Sequence, residues 1–334
     1  MRKREEGDDV MKELFLLLKK GSKSALLASI VNAVISIIKG IAYVMTGNVA
    51  MFAETMHSLG DMANQFFVFI GSALSKKAPT KRFPNGFGRL VNLVLLGAVL
   101  VVGVMAYETI IEGYHHILHP VESKGFMINV IVLSIAVILE AFVLFKAMKE
   151  TLHDVGIHAQ GLEIITKSLA NVNKAKPATK LVFLEDSVAT GGGLLALIAV
   201  VISEFTLFHQ AEGIASIIIG LLMFFVVGKI FLDNAAGVLG EADEIMQDKI
   251  GSLVLEDPDV KDIPEITVLK EGDEFHVEIK IEVDPKISLA TADDIKDRLE
   301  EKIIKEKGVT DVIVEFDEDD NFSSWDNRKK SKDD

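Results

Sequence analysis

The chain has 334 residues, 49% hydrophobic and 25% charged, with a formal charge of −14 and no cysteine. That length suggests about two domains. The missing cysteine removes disulfide frameworks, thiolate zinc sites and Cys nucleophiles. Net acidity without a basic cluster argues against nucleic acid as a partner.

Charge and hydrophobicity are segregated. From Glu241 to the end there are 30 acidic and 14 basic residues, which leaves 19 acids and 21 bases in the first 240. That first block is near-neutral and apolar. In chain order, residues 1–23 are charged and mostly polar, with no secretory cleavage pattern, and read as a cytoplasmic segment. Six stretches then reach the length that crosses a bilayer, about 20 apolar residues: 24–46, 50–74, 90–114, 126–148, 181–203 and 212–234. They predict a transmembrane domain over 24–236.

The basic residues of the loops fix an expected orientation. Arg2, Lys3, Arg4, Lys12, Lys19, Lys20 and Lys23 precede the first stretch. Lys76, Lys77, Lys81, Arg82 and Arg89 separate the second and third. Lys146, Lys149, Lys167, Lys174, Lys176 and Lys180 separate the fourth and fifth, while the other loops offer only Lys124. Both termini are then cytoplasmic. In the long connection 150–180, Leu162, Ile165, Leu169 and Val172 recur at helical spacing and suggest a segment along the inner interface.

The acidic part, 237–318, reads α-β-β-α-β: a helix over Asp243–Leu255, strands over Ile266–Leu269 and Phe275–Val283 with a turn at Glu271-Gly272-Asp273, a helix over Ala290–Lys305 and a strand over Val312–Phe316. This is a small α+β layer, helices on one face of a sheet. Residues 319–334 are charged and read as a disordered tail.

Ionisable residues inside the apolar stretches carry the functional signal, because each costs about 2.5–3.5 kcal/mol to insert. The second stretch holds Glu54, His57, Asp61 and Asn64 at i, i+3, i+7 and i+10. At about 100° per residue these fall within a stripe about 80° wide. The fifth opens with Glu185-Asp186 and continues through Thr190 to the triplet Gly191–Gly193, small residues that let another chain segment approach closely. Carboxylates and imidazole suit zinc, manganese or iron. Glu54, His57, Asp61 and Asp186 together would offer four ligands. Three carboxylates in lipid demand either a cation or protons, which is the chemical basis of exchange. An imidazole can bind and release a proton, so His57 is also a candidate proton carrier. The plainer readings are pairing of a lone Asp with Lys39 or Lys229, a lone His as an interhelical hydrogen-bond donor, and a role for Glu140 as a pathway residue or an interhelical acceptor.

His57-Ser-Leu-Gly-Asp61, the order of the stretches and the turn Phe83-Pro84-Asn85-Gly86-Phe87-Gly88-Arg89 resemble the cation diffusion facilitator family of divalent-metal/proton antiporters. The similarity extends to a branch with Glu three residues before the His and Glu-Asp on the fifth span. It implies six transmembrane helices with a cytoplasmic ferredoxin-like α+β domain, a homodimer, and a site between spans two and five that opens alternately to each side. Positions His57, Asp61 and Asp186 match three of the family's four site positions; the fourth is Val182 here. Glu54 or Glu185 then supplies the missing ligand, with Glu54 preferred for sharing the stripe and Asn64 a lesser contributor. The family's loop histidines are Phe83 and Phe87 here. Its cytoplasmic zinc positions are Lys280 and Glu315, with His276 and acids such as Asp317 left as donors.

The expectation is a multi-pass secondary transporter in the cell (inner) membrane, or an organelle membrane if the source is eukaryotic. It exports zinc, with manganese or iron(II) as alternatives, in exchange for protons. It is not an enzyme and needs no cofactor. A membrane metal enzyme would call for His-Glu-x-x-His, which the sequence lacks. A metal sensor or scaffold that does not transport is the remaining alternative.

Overall fold

The computed structural model describes residues 15–325 apart from 176 and 273. The chain divides into two compact units, one of residues up to 73 with 93–234, the other of 74–92 with 235 onward.

The first unit is helical: α1 (Lys23–Thr46), α2 (Val49–Leu74), α3 (Leu90–Leu118), α4 (Phe126–Asp154), a short α5 (Glu163–Asn171), α6 (Pro177–Phe205) and α7 (Gln210–Leu239). α1 begins where the Ser22 hydroxyl accepts the Ala25 N–H, and α2 where Asn48 Oδ1 accepts the Met51 N–H at 2.8 Å. Both side chains satisfy donors that a helix start leaves unpaired. Among the described residues five helices, α1, α3, α4, α6 and α7, are long and apolar enough to cross a membrane. Six were expected. The exception is α2, whose 26 residues reach far enough but whose polar stripe lowers its hydropathy.

Side-chain size sorts inward and outward. The interior is built from Ala42, Ala50, Ala53, Ala106, Ala196, Ala199 and Ala215 with a few larger residues such as Leu133, Ile219 and Met223. Bulky Leu27, Ile37, Val44, Leu100, Ile138 and Phe142 face outward. A soluble bundle would invert this order. In lipid, large apolar groups gain nothing by hiding, and small ones let helices approach. In the connection 150–180, α5 buries Ile164 against Met148, Leu152 and Phe183, while Leu162 and Leu169 stay exposed. Of the expected apolar stripe, Leu162, Ile165 and Leu169 are thus on the outer face, as a segment along an interface would have them, while Val172 packs against the buried cluster.

The second unit contains α8 (Glu244–Val254), β1 (Asp262–Glu271), β2 (Glu274–Val283), α9 (Leu289–Ile303) and β3 (Val309–Glu318). The sheet order is β1-β2-β3. β1 and β2 run antiparallel, Leu269 opposite His276, across a turn in which Gly272 has φ 69°; Asp273 of that turn lies outside the described residues. β2 and β3 are parallel, so a crossover must join them, and α9 supplies it. Val277, Ile279 and Ile281 alternate along β2 and pack with Ile250, Val254, Ile295, Leu299 and Ile303 of the two helices. The loop before α3 belongs to this unit: Arg89 pairs with Glu271 at 2.8 Å. Gly88 lies so close to the β1–β2 turn that a Cβ there would stand 2.6 Å from the Glu271 carbonyl oxygen.

Two residues of the charged C-terminal stretch pack on this unit. Asp262 accepts the N–H groups of Ser324 (2.5 Å) and Trp325 (3.2 Å). The Trp325 ring is buried against Gly251 in the core. Residues 326–334 lie outside the described residues.

Candidate metal site

The polar stripe of α2 is realised as one face, but its members divide between two surroundings. His57 and Asp61 stand a turn apart, Nε2 to Oδ2 3.6 Å. With Asn64 from α2 and Glu185 from α6 they line a cavity of about 30 Å³ walled by Val102 and Met223. A space of that size holds a water molecule or a small ion. His57 is buried and its Nε2 makes no hydrogen bond, whereas the Asp61 side chain is 46% exposed.

Asp186 neighbours this cavity without lining it. One of its carboxylate oxygens is buried without a hydrogen-bond partner, and the charge of Asp61 acts on both Glu185 and Asp186. Val182, a turn before Asp186, is about half exposed and offers no donor. Among the described residues no three His, Asp or Glu side chains stand together closely enough to hold a metal ion as they are.

Glu54 stands in a different environment. It is fully buried, and Lys39 of α1 donates to its Oε2 at 2.7 Å and to Glu140 Oε1 of α4 at 3.1 Å. Glu140 is thus an interhelical acceptor. The glycines of α6 close over this triad: a Cβ at Gly192 would lie 3.1 Å from Glu54 Oε1, and one at Gly193 would lie 3.0 Å from Glu140 Oε2. The backbone comes close at the triplet to make room for carboxylates. In the sequence Lys39 and Glu140 stand about 100 positions apart, with nothing local to pair them. The available signal was one cation and two acids on three apolar helices, each too costly to bury alone.

A second polar cluster lies at the start of α7. Glu212, at the start of α7, accepts from the Ser123 hydroxyl at 2.8 Å, and His116 Nε2 lies 3.1 Å from the His209 carbonyl. An acid at a helix N-terminus is favourably placed. In the second unit, His276 stands between Glu271 (3.4 Å) and Asp311 (3.6 Å). Those acids approach opposite ring nitrogens, so they do not converge on one point. Asp317 is paired with Lys280 at 2.6 Å.

Residues 25–238 match the cation efflux transmembrane domain, and residues 242–319 match the cation efflux protein cytoplasmic domain. The chain belongs to the cation efflux family. It is 24% identical over 275 residues to a human protein named proton-coupled zinc antiporter SLC30A9, mitochondrial, covering 80% of this chain and 47% of that one. It is 23% identical over 309 residues to the uncharacterized transporter YdbO of Bacillus subtilis, covering 91% and 97%. It is 20% identical over 298 residues to the cation-efflux pump FieF of Cronobacter sakazakii, covering 89% and 92%. The chain spans about half the length of the SLC30A9 proteins it matches. As a cation efflux protein it is a multi-pass membrane protein of a transporter family rather than an enzyme family.

Proposed function

We propose that this cation efflux protein exports a divalent transition metal in exchange for protons, with zinc as the foremost substrate. The observation that carries the reading is the His57–Asp61 pair in a cavity shared with Glu185, inside a bundle of membrane helices. His57, Asp61, Asp186 and Glu185 supply one imidazole and three carboxylates. The carboxylates attract a dication or the protons that replace it, and the imidazole favours a borderline metal over calcium or magnesium. Glu185 is preferred to Glu54 as the fourth donor because it lines the cavity, whereas Glu54 is held by Lys39. α2 serves as the sixth span, its polar face turned from lipid. Both termini are cytoplasmic, following the basic loops, and two copies pair through the cytoplasmic domain. The human relative's name, a proton-coupled zinc antiporter, supports the same ion pair; manganese and iron(II) are the alternatives.

The test is metal-driven proton flux in proteoliposomes. Asp61→Ala and Asp186→Ala are expected to abolish it, at least about a hundredfold, while the protein still inserts. Full flux in either variant removes that residue from the site. A wild-type protein that binds zinc but moves neither ion favours a sensor instead.

A further inference from the structure

Lys39 is the most enclosed cation of the bundle, 1% exposed, with its ammonium clamped between a carboxylate of α2 and one of α4. Glu54 is three residues from His57, and side chains at that spacing are neighbours on a helix, with Cβ atoms about 5–6 Å apart. A carboxylate within reach of the metal cavity is therefore turned toward an ammonium on another helix. Glu140 holds that ammonium from the far side, and the missing side chains of Gly192 and Gly193 leave room for both carboxylates. The sequence carries this arrangement on four separate helices, which a loose snorkelling lysine would not require.

We propose, on the basis of the transport reading above, that Lys39 is a specificity-determining residue: a tethered cation that withholds Glu54 from the transported ion. With Glu54 withheld, the cavity offers an imidazole and the carboxylates of Asp61 and Glu185, with Asp186 beside it, a set that suits zinc. With Glu54 released, a further oxygen donor faces the cavity, and the balance moves toward manganese, which carboxylates suit better. Lys39 touches no transported ion in this scheme. It acts through Glu54 and is a positioning residue.

The experiment is competition between zinc and manganese transport in proteoliposomes of the full chain. Lys39→Gln is expected to raise the manganese-to-zinc ratio roughly threefold or more. Lys39→Arg keeps the charge and the wild-type ratio, and the double variant Lys39→Gln/Glu54→Gln returns to it. A purely structural role would lower both rates together and leave the ratio alone. The proposal is overturned by an unchanged ratio in Lys39→Gln, or by a shift that persists in the double variant. Should Lys39→Gln fail to insert, calorimetric zinc titration of the purified protein decides instead. Glu185→Gln is expected to weaken binding more than Glu54→Gln; the reverse order makes Glu54 a native ligand and overturns the role of Lys39. A wild-type protein that moves neither metal overturns the transport reading and this role with it, whereas zinc transport with the wrong ratio or order overturns only this one.

Discussion

A charge taken out of water is held by a partner, and this chain shows that rule in two settings. In the bundle, Lys39 joins Glu54 and Glu140. In the second unit, Arg298 donates from Nε and Nη2 to the two oxygens of Asp257, both at 2.8 Å, and from Nη2 to Asp259. The hydrogen bonds from Arg298 hold the Asp257 carboxyl below the usual carboxylate range. The native state therefore releases this proton more readily than an unfolded chain, in which Asp titrates at about 3.9. The stabilisation is complete well above that value and is lost as pH falls through the lower native one. Asp257→Asn is expected to cost about 1 kcal/mol at neutral pH, a charge-assisted hydrogen bond discounted for the half-exposed Arg298. It should also flatten the acid-side loss of protection. Hydrogen exchange of residues 254–303 between pH 3 and pH 7 reads both effects; parallel curves for variant and wild type would deny the linkage.

Among the elements, α6 shows how one motif serves different neighbours residue by residue. Gly191 faces open space, while a Cβ at Gly193 would stand 2.8 Å from Val137 Cγ2 as well as close to Glu140. Gly191→Ala is therefore expected to be neutral or to stabilise by about 0.5 kcal/mol through helix propensity. Gly193→Ala is expected to destabilise by about 1–3 kcal/mol through overpacking. Thermal melts of the two purified variants check the pair, and equal effects would contradict the packing described. The helices themselves, the α-β-β-α-β order and the polar face of α2 were readable because each follows from local periodicity. The pairing of Glu54 with Lys39 was not, since Glu54 and His57 have the same spacing pattern whether they face one cavity or two. Only the placement of α1 and α4 brings Lys39 to Glu54. Likewise, the apolar spacing of Leu162 and Leu169 does not tell whether a stripe meets protein or lipid.

At the scale of the whole molecule, the two units solve opposite solvent problems. The membrane bundle puts small residues inside and large ones outside; the second unit buries Ile, Val and Leu in the ordinary way. The lone tryptophan, Trp325, closes that second core from a strongly charged stretch. Trp325→Ala is expected to cost about 3 kcal/mol or more, as truncation of a buried aromatic does. Faster hydrogen exchange in α8, which carries Gly251, is the measurement, and unchanged protection there would show that the ring is not part of the core. The sequence alone determined the family, the apolar helices, the acidic α+β domain and the residue types that suit a dication, because composition and spacing are local properties of a chain. The tertiary structure decided which acid Lys39 occupies, which carboxylate of the Glu185–Asp186 pair lines the cavity, and that Trp325 packs into the second core. Those depend on which distant segments meet, and a periodic pattern records only which side of a helix a residue is on, not what stands opposite it.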